Sequence, residues 1–269
     1  MPEGHTLHRL ADLHQLRYAG NPVGVSSPQG RFTASAALVD GRVLERAEAL
    51  GKHLLHVYGP DLVVHVHLGL YGRFSDDELP VTPPVGLVRM RMVGPTHFAD
   101  LRGPTACELL TDAEVDALRA RIGPDPLRAD ADPELAWARV SRSRAPIGVL
   151  LMDQSVISGV GNVYRAEVLF RQGLHPLVQG VRITREQWDA IWADLVVLME
   201  DGVRVGRIDT VRPEDLPEAT GRPPREDRHG GEVYVYRRTG QPCLLCGTPV
   251  LTRELASRNL YWCPVCQAE

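Results

Sequence analysis

"CLLCGTPVLTRELASRNLYWCPVC", residues 243–266, sets two C-x2-C pairs sixteen residues apart. Four thiolates at that spacing suit one tetrahedral Zn²⁺, with each pair on a turn and the stretch between them a two-stranded ribbon. Cys243, Cys246, Cys263 and Cys266 are therefore expected to hold a single structural zinc. Two disulfides are the competing reading, and they require an oxidising compartment. The rest of the chain argues against one: no apolar run is long enough to span a bilayer, and Glu3 and Arg9 interrupt what would have to be a signal peptide. A cytoplasmic location is expected. The fifth cysteine, Cys107 in "GPTACELL", reads as a small buried hydrophobe.

Upstream of the ribbon, the polar, Pro- and Arg-rich stretch 212–232 reads as a mobile loop. Before it the pattern is helical: "TDAEVDALRARIG" with Thr111 as cap, "ADPELAWARVSRS", "IGVLLMD", "NVYRAEVLFRQG" and "TREQWDAIWADLVVLMEDG". In "SGVGNVYRAEVLF", Gly159 and Gly161 permit a tight turn and Asn162 is placed to cap the next helix. A helix N-terminus approached through glycines is also a natural phosphate seat.

The first 110 residues carry the other period. An opening helix with Leu7, Leu10, Ala11 and Tyr18 on one stripe is followed by short runs such as "RVLERAEAL", "HLLHVYG", "LVVHVHLG", "VRMRMVG" and "THFADLRG". Their spacing suggests a β-sandwich. With 269 residues the chain is long enough to divide. We read an α+β multidomain protein with a β-sandwich and flanking helix over 1–125, a helical domain over 126–235 and a zinc ribbon over 236–269.

Charge is less directive. The net of −4 argues mildly against a nucleic-acid partner. Of the 30 Lys plus Arg residues, however, all are Arg except Lys52, and a compact ammonium does work that a guanidinium fork does not. At the N-terminus, removal of the initiator would leave Pro2 as a secondary amine beside Glu3. With a pKa near ~8, part of that amine is neutral and nucleophilic at neutral pH. His53, His56, His65 and His67 cluster in sequence, and alternation puts His65 and His67 on one strand face. No carboxylate stands at matching spacing, so they are read as packed or groove-facing rather than as a second metal site.

Together "MPEG", "GKHL", "GVGNVYRAEVLF" and "SRNLYWCPVCQ" resemble the formamidopyrimidine-DNA glycosylase and endonuclease VIII family, in consistent order from end to end. The resemblance implies a β-sandwich, a helix-two-turn-helix domain and a four-cysteine zinc ribbon, and a monomeric enzyme that holds damaged DNA, duplex, bubble or single-stranded, between its halves. It implies Pro2 as nucleophile at C1′ of the damaged nucleotide, Glu3 as general acid and base, and Lys52 as a phosphate-holding lysine that assists catalysis. Asn162 and Arg258 match residues that grip flanking phosphates. In "HLGLYGRF", Leu70 and Tyr71 look like the wedge of the endonuclease VIII branch, which favours oxidised pyrimidines over oxidised purines. Gly69 stands where that branch often has glutamine, and Thr6 where many relatives have a second glutamate. A non-catalytic zinc-ribbon DNA binder and a proline-based tautomerase remain as other classes, each leaving part of this set without purpose.

Overall fold

Residues 2–226 and 231–268 are described by a computed structural model, in which the chain divides after Arg121 into two compact units. In the first unit, strand-period sequence builds two four-stranded antiparallel sheets. One has the order β1-β6-β7-β5 (Gly24–Ser26, Val88–Val93, His97–Arg102, Arg73–Glu78). The other has the order β2-β3-β4-β8 (Arg46–Leu50, His53–Val57, Val63–His67, Ala106–Leu110). Leu54, Val64 and Val66 of the second sheet share a core with Met90, Met92, Ala99 and Leu101 of the first. Helices α1 (Gly4–Tyr18), α2 (Thr33–Val39) and α3 (Asp112–Arg121) flank them. The opening helix buries Leu7, Ala11 and Tyr18 as its stripe requires, and His14 as well.

Thr111 starts α3 as expected. Its hydroxyl accepts from Glu114 N–H at 3.3 Å, while the Glu114 carboxylate accepts from Thr111 N–H at 2.8 Å, a reciprocal capping box. Cys107 lies buried on β8, and burial pushes its thiol up to about 12, so it is inert at neutral pH.

The second unit holds α4 (Pro133–Val140), α5 (Ile147–Leu150), α6 (Asn162–Arg171), α7 (Arg185–Val205), α8 (Pro217–Thr220) and the hairpin β9–β10 (Leu251–Leu255, Arg258–Trp262). The long α7 is bounded by a Thr184–Gln187 capping box and by Gly206 at φ 80°, so its 21 residues need no tertiary contact to define their ends. Helix α6 is buried on nearly every side. Its Glu167, fully buried, accepts from the N–H groups of Tyr234, Val235 and Tyr236 and from the Thr210 hydroxyl, at 2.6–2.9 Å. Four donors satisfy a carboxylate that burial alone would penalise by several kcal/mol. Between these anchors the stretch 212–226 forms α8 and a preceding helical turn at Pro213–Asp215. Positions 227–230 of the stretch read as a mobile loop lie outside the described residues.

Candidate active site and nucleic-acid interface

The register of α1 decides where the chain begins in space. Gly20 N–H donates to Leu44 O at 2.8 Å, and Ala47 N–H donates to Gln15 Oε1 at 2.9 Å. The helix therefore runs antiparallel to β2. From Gln15 back to Glu3 it climbs about 18 Å, and from Ala47 to the end of β2 at Leu50 the strand advances about 10 Å before the turn at Gly51 and Lys52. Pro2 and Glu3 stand at the end of α1 that runs toward the β2–β3 turn, the turn that carries Lys52.

That register is held by a buried polar network. His14 Nδ1 and His56 Nε2 are 2.9 Å apart, His14 Nε2 lies 3.3 Å from Asp76 Oδ2, and Tyr18 OH donates to Asp76 Oδ1 at 2.8 Å. Burial opposes ionisation of Asp76, but hydrogen bonds and charge from His14, Tyr18 and Arg17 win and hold its carboxyl below the usual range. None of these contacts is visible in the local sequence pattern; a histidine at helical spacing from Leu7 was the only signal.

Glu3 occupies the N-cap of α1 in an extended conformation, fully buried, with its carbonyl accepting from Thr6 N–H at 2.9 Å. Its carboxylate makes no capping bond. The Thr6 hydroxyl lies 3.2 Å from His5 Nε2. Burial chiefly, with the charges of Arg9 and His8, lowers His5 to about 4, so the ring beside Glu3 is neutral at physiological pH.

Leu70 and Tyr71 project from the β4–β5 turn, 48% and 86% exposed. Two glycines make the turn. Gly72 N–H donates to Leu68 O, and a Cβ at Gly72 would meet that oxygen at 2.3 Å. Gly69 has φ 67°, and a Cβ there would stand 1.9 Å from Thr105 Oγ1. The left-handed backbone and the Thr105 hydroxyl thus disfavour glutamine at 69. Gly69→Gln is expected to lower stability by about 1–3 kcal/mol, read as a drop in thermal midpoint, with Thr105→Ala in the same chain recovering part of the loss. An unchanged midpoint would refute the clash.

In the second unit the structure corrects one expectation. Asn162 does not cap α6: Gly161 holds the N-cap position without a side-chain bond, and Asn162 is the first helical residue. Its amide turns instead to the ribbon, where Nδ2 donates to Asn259 O at 3.0 Å. Arg165, fully buried, donates to Asn162 Oδ1, to Asn259 O at 3.2 Å and to Gly148 O at 3.0 Å. Both ends of the Asn162 amide are thus engaged within the protein. Arg258, exposed at the start of β10, neighbours the shared Asn259 carbonyl. Asn162 is buried and Arg258 exposed, on opposite sides of the Asn259 carbonyl in sequence and bonding. Sequence reasoning missed Arg165, whose only signal was a charge within an apolar helix.

The four cysteine Sγ atoms lie within 4.8 Å of one another, with Cys243–Cys266 at 3.8 Å and Cys246–Cys263 at 3.5 Å. Zn–S bonds of about 2.3 Å in a tetrahedron put sulfurs about 3.8 Å apart, so the cage fits one structural zinc. Gln267 stitches it to the helices: its Oε1 accepts from Cys263 N–H at 3.0 Å and its Nε2 donates to Leu174 O at 2.9 Å.

On the outer face of the second sheet, His53 Nδ1 lies 2.8 Å from His65 Nε2, and His65 Nδ1 lies 2.9 Å from Glu108 Oε1. The carboxylate missing from the local sequence comes from β8. His56 faces the other way, packed against His14.

Residues 122–213 match the formamidopyrimidine-DNA glycosylase H2TH domain, and 240–268 match a zinc finger found in FPG and IleRS. Across 99% of its length the chain is 56% identical to Endonuclease 8 1 of Mycobacterium tuberculosis, all of which is covered. The chain belongs to the formamidopyrimidine-DNA glycosylase and endonuclease VIII family. As a member of that family it is a DNA glycosylase with abasic-site lyase activity. The formamidopyrimidine-DNA glycosylase of Parasynechococcus marenigrum is 31% identical, over 81% of this chain and 79% of that one. Among solved structures, the Lactococcus lactis Fpg in complex with abasic-site DNA superposes with a TM-score of 0.79 at 20% identity, over 99% of this chain and 100% of that one, so the family's fold is shared. No helix among the described residues is long and apolar enough to cross a membrane.

Proposed function

We propose that the chain excises oxidised pyrimidines from DNA and cuts the strand at the resulting abasic site, acting as a monomer in the cytoplasm, at the nucleoid. Supporting this reading is the antiparallel run of α1 along β2, with Pro2 and Glu3 at the end of the helix that heads toward the Lys52 turn. Residues 1–125 perform the chemistry, 126–235 grip the backbone through Asn162, and 236–269 add Arg258 on the zinc ribbon.

The Pro2 nitrogen attacks C1′ and the damaged base leaves with its bonding electrons. A secondary amine suits the step because the adduct is a cationic iminium, an electron sink for the bonds that break next. Glu3 delivers a proton to the ring oxygen as the C1′–O4′ bond breaks, then removes one from C2′, so that the 3′ phosphate departs by β elimination; loss of a second proton, from C4′, then expels the 5′ phosphate by δ elimination. Lys52 places a compact positive charge on a phosphate near the lesion. The base must leave the stack before C1′ is reachable, and Leu70 with Tyr71 is the exposed apolar pair that fills the vacated space. This wedge, of the endonuclease VIII type, supports pyrimidine lesions as substrates.

Borohydride trapping on oligonucleotides carrying 5-hydroxyuracil or 8-oxoguanine, duplex and single-stranded, tests the reading. The expected result is an adduct on the 5-hydroxyuracil strand that maps to Pro2. Trapping confined to 8-oxoguanine would reverse the lesion class. No adduct on either, with abasic DNA also untrapped, would leave only a binding protein.

A further inference from the structure

The Glu108–His65–His53 chain is not used by the mechanism above. It crosses three adjacent strands, β8, β4 and β3, and its outer end is the residue that follows Lys52. His67, two residues ahead of Gly69, lies across from His53 with ring centroids 5.1 Å apart. The chain thus lies between the lysine turn and the wedge turn.

Its hydrogen bonds fix the tautomers. An ionised Glu108 can only accept, so His65 carries its proton on Nδ1 and offers the Nε2 lone pair. His53 must then carry its proton on Nδ1, which leaves its own Nε2 as a bare acceptor. No hydrogen bond among the described residues uses that atom. A second proton on His53 would turn Nε2 into a donor, and the charge would be shared toward the Glu108 carboxylate through His65.

Resting on the DNA reading above, we propose that His53 is a second phosphate contact beside Lys52, one that engages only when protonated, with His65 and Glu108 as the positioning residues that support its proton.

In the free protein the surroundings oppose that proton. The groups facing His53 are Lys52 on its own turn, His67 and His65 on β4, Glu108 behind His65, and Arg121 at the end of α3. Burial chiefly, then the charges of His65, His67, Arg121 and Lys52, lowers His53 to about 3. A backbone phosphate arriving at Lys52 reverses the local field and accepts from Nε2, which raises the bound-state pKa. Binding then takes up a proton, and the sign follows: a group whose pKa rises on binding tightens the complex as pH falls toward that raised value.

The test uses the full zinc-loaded chain and a short duplex with a tetrahydrofuran abasic analogue, which offers phosphates but cannot be excised. Affinity is measured by fluorescence anisotropy at about pH 5.5 and about pH 8, and proton uptake by calorimetry in two buffers of different ionisation enthalpy. The wild-type chain is expected to bind about tenfold more tightly at the lower pH, with net proton uptake. Glu108→Gln keeps an acceptor for His65 but removes the charge, and His65→Gln breaks the relay. Both should match wild type at about pH 8 and lose most of the uptake at about pH 5.5. Buffer-independent heats for wild type, or wild-type uptake in both variants, would overturn the relay. Failure of the wild-type chain to bind the duplex at either pH would overturn the DNA reading itself, and this inference with it.

Discussion

Pro2→Ala is expected to lower base excision about a hundredfold or more while affinity for a tetrahydrofuran-containing duplex stays within about twofold. The substitution leaves an amine at the start of the chain, so the loss isolates what the pyrrolidine ring contributes. Proline's nitrogen is secondary, its iminium carries a permanent charge, and its ring fixes φ, so the lone pair is held in one direction relative to Glu3. A primary amine on a freer backbone gives up that orientation, and misplacement by about 1 Å is enough to cost about a hundredfold. Binding is spared because the phosphate contacts assigned to Lys52, Asn162 and Arg258 are untouched. Single-turnover excision of 5-hydroxyuracil and anisotropy on the same preparation separate the two effects. Wild-type excision by the variant would remove Pro2 from the role of nucleophile.

Removal of zinc should act on binding instead. Structural Zn²⁺ contributes about 10–16 kcal/mol to folding of a small cysteine site, and the ribbon has little else. Its hairpin buries Leu260 and Tyr261, but β9 is exposed along most of its length. Without the metal, four thiols with sulfurs within 4.8 Å lose the charge that holds them together. The Asn259 carbonyl then leaves its two donors, Asn162 and Arg165, and Arg258 is no longer placed. Dialysis against a chelator is expected to weaken DNA binding at least about tenfold, with the loss of near-ultraviolet dichroism from Trp262 and Tyr261. The β-sandwich, which has its own core, should keep its far-ultraviolet strand signal. Unchanged affinity of a zinc-free protein would contradict the ribbon's role.

How far these sites were legible depends on how local their physics is. Cysteine spacing, the α7 capping box and the Thr111–Glu114 box are all written within a few residues, because turn geometry and helix ends are local, and each appears in the structure where the pattern puts it. Strands β5 and β8 were harder to see. "RFSDDE" carries charge on an edge strand of its sheet, and "ACELL" is short, so neither shows the alternation of a half-buried strand. Function was legible through resemblance, with the lone lysine and the Met-Pro-Glu start as its chemical core. The buried networks were not legible at all. Glu108 reaches His65 across 43 positions of sequence and Arg165 reaches Asn259 across 94, distances over which no periodicity operates. Asn162 misled because asparagine before a helix is a frequent cap, and only the ribbon carbonyl reveals that its amide is committed elsewhere.

Glu167 carries a consequence for how this architecture tolerates change. One side chain fastens Thr210 on the way out of the helical segment and residues 234–236 on the way back. The same base is tied further by Arg212 N–H donating to Tyr234 OH, by Tyr234 OH donating to Asp215 and by an Arg222–Glu232 ion pair. Doubling the length of such a closed loop costs only about 0.6 kcal/mol. Here the chain has a place where length can change at little cost while the Glu167 anchors stay where they are.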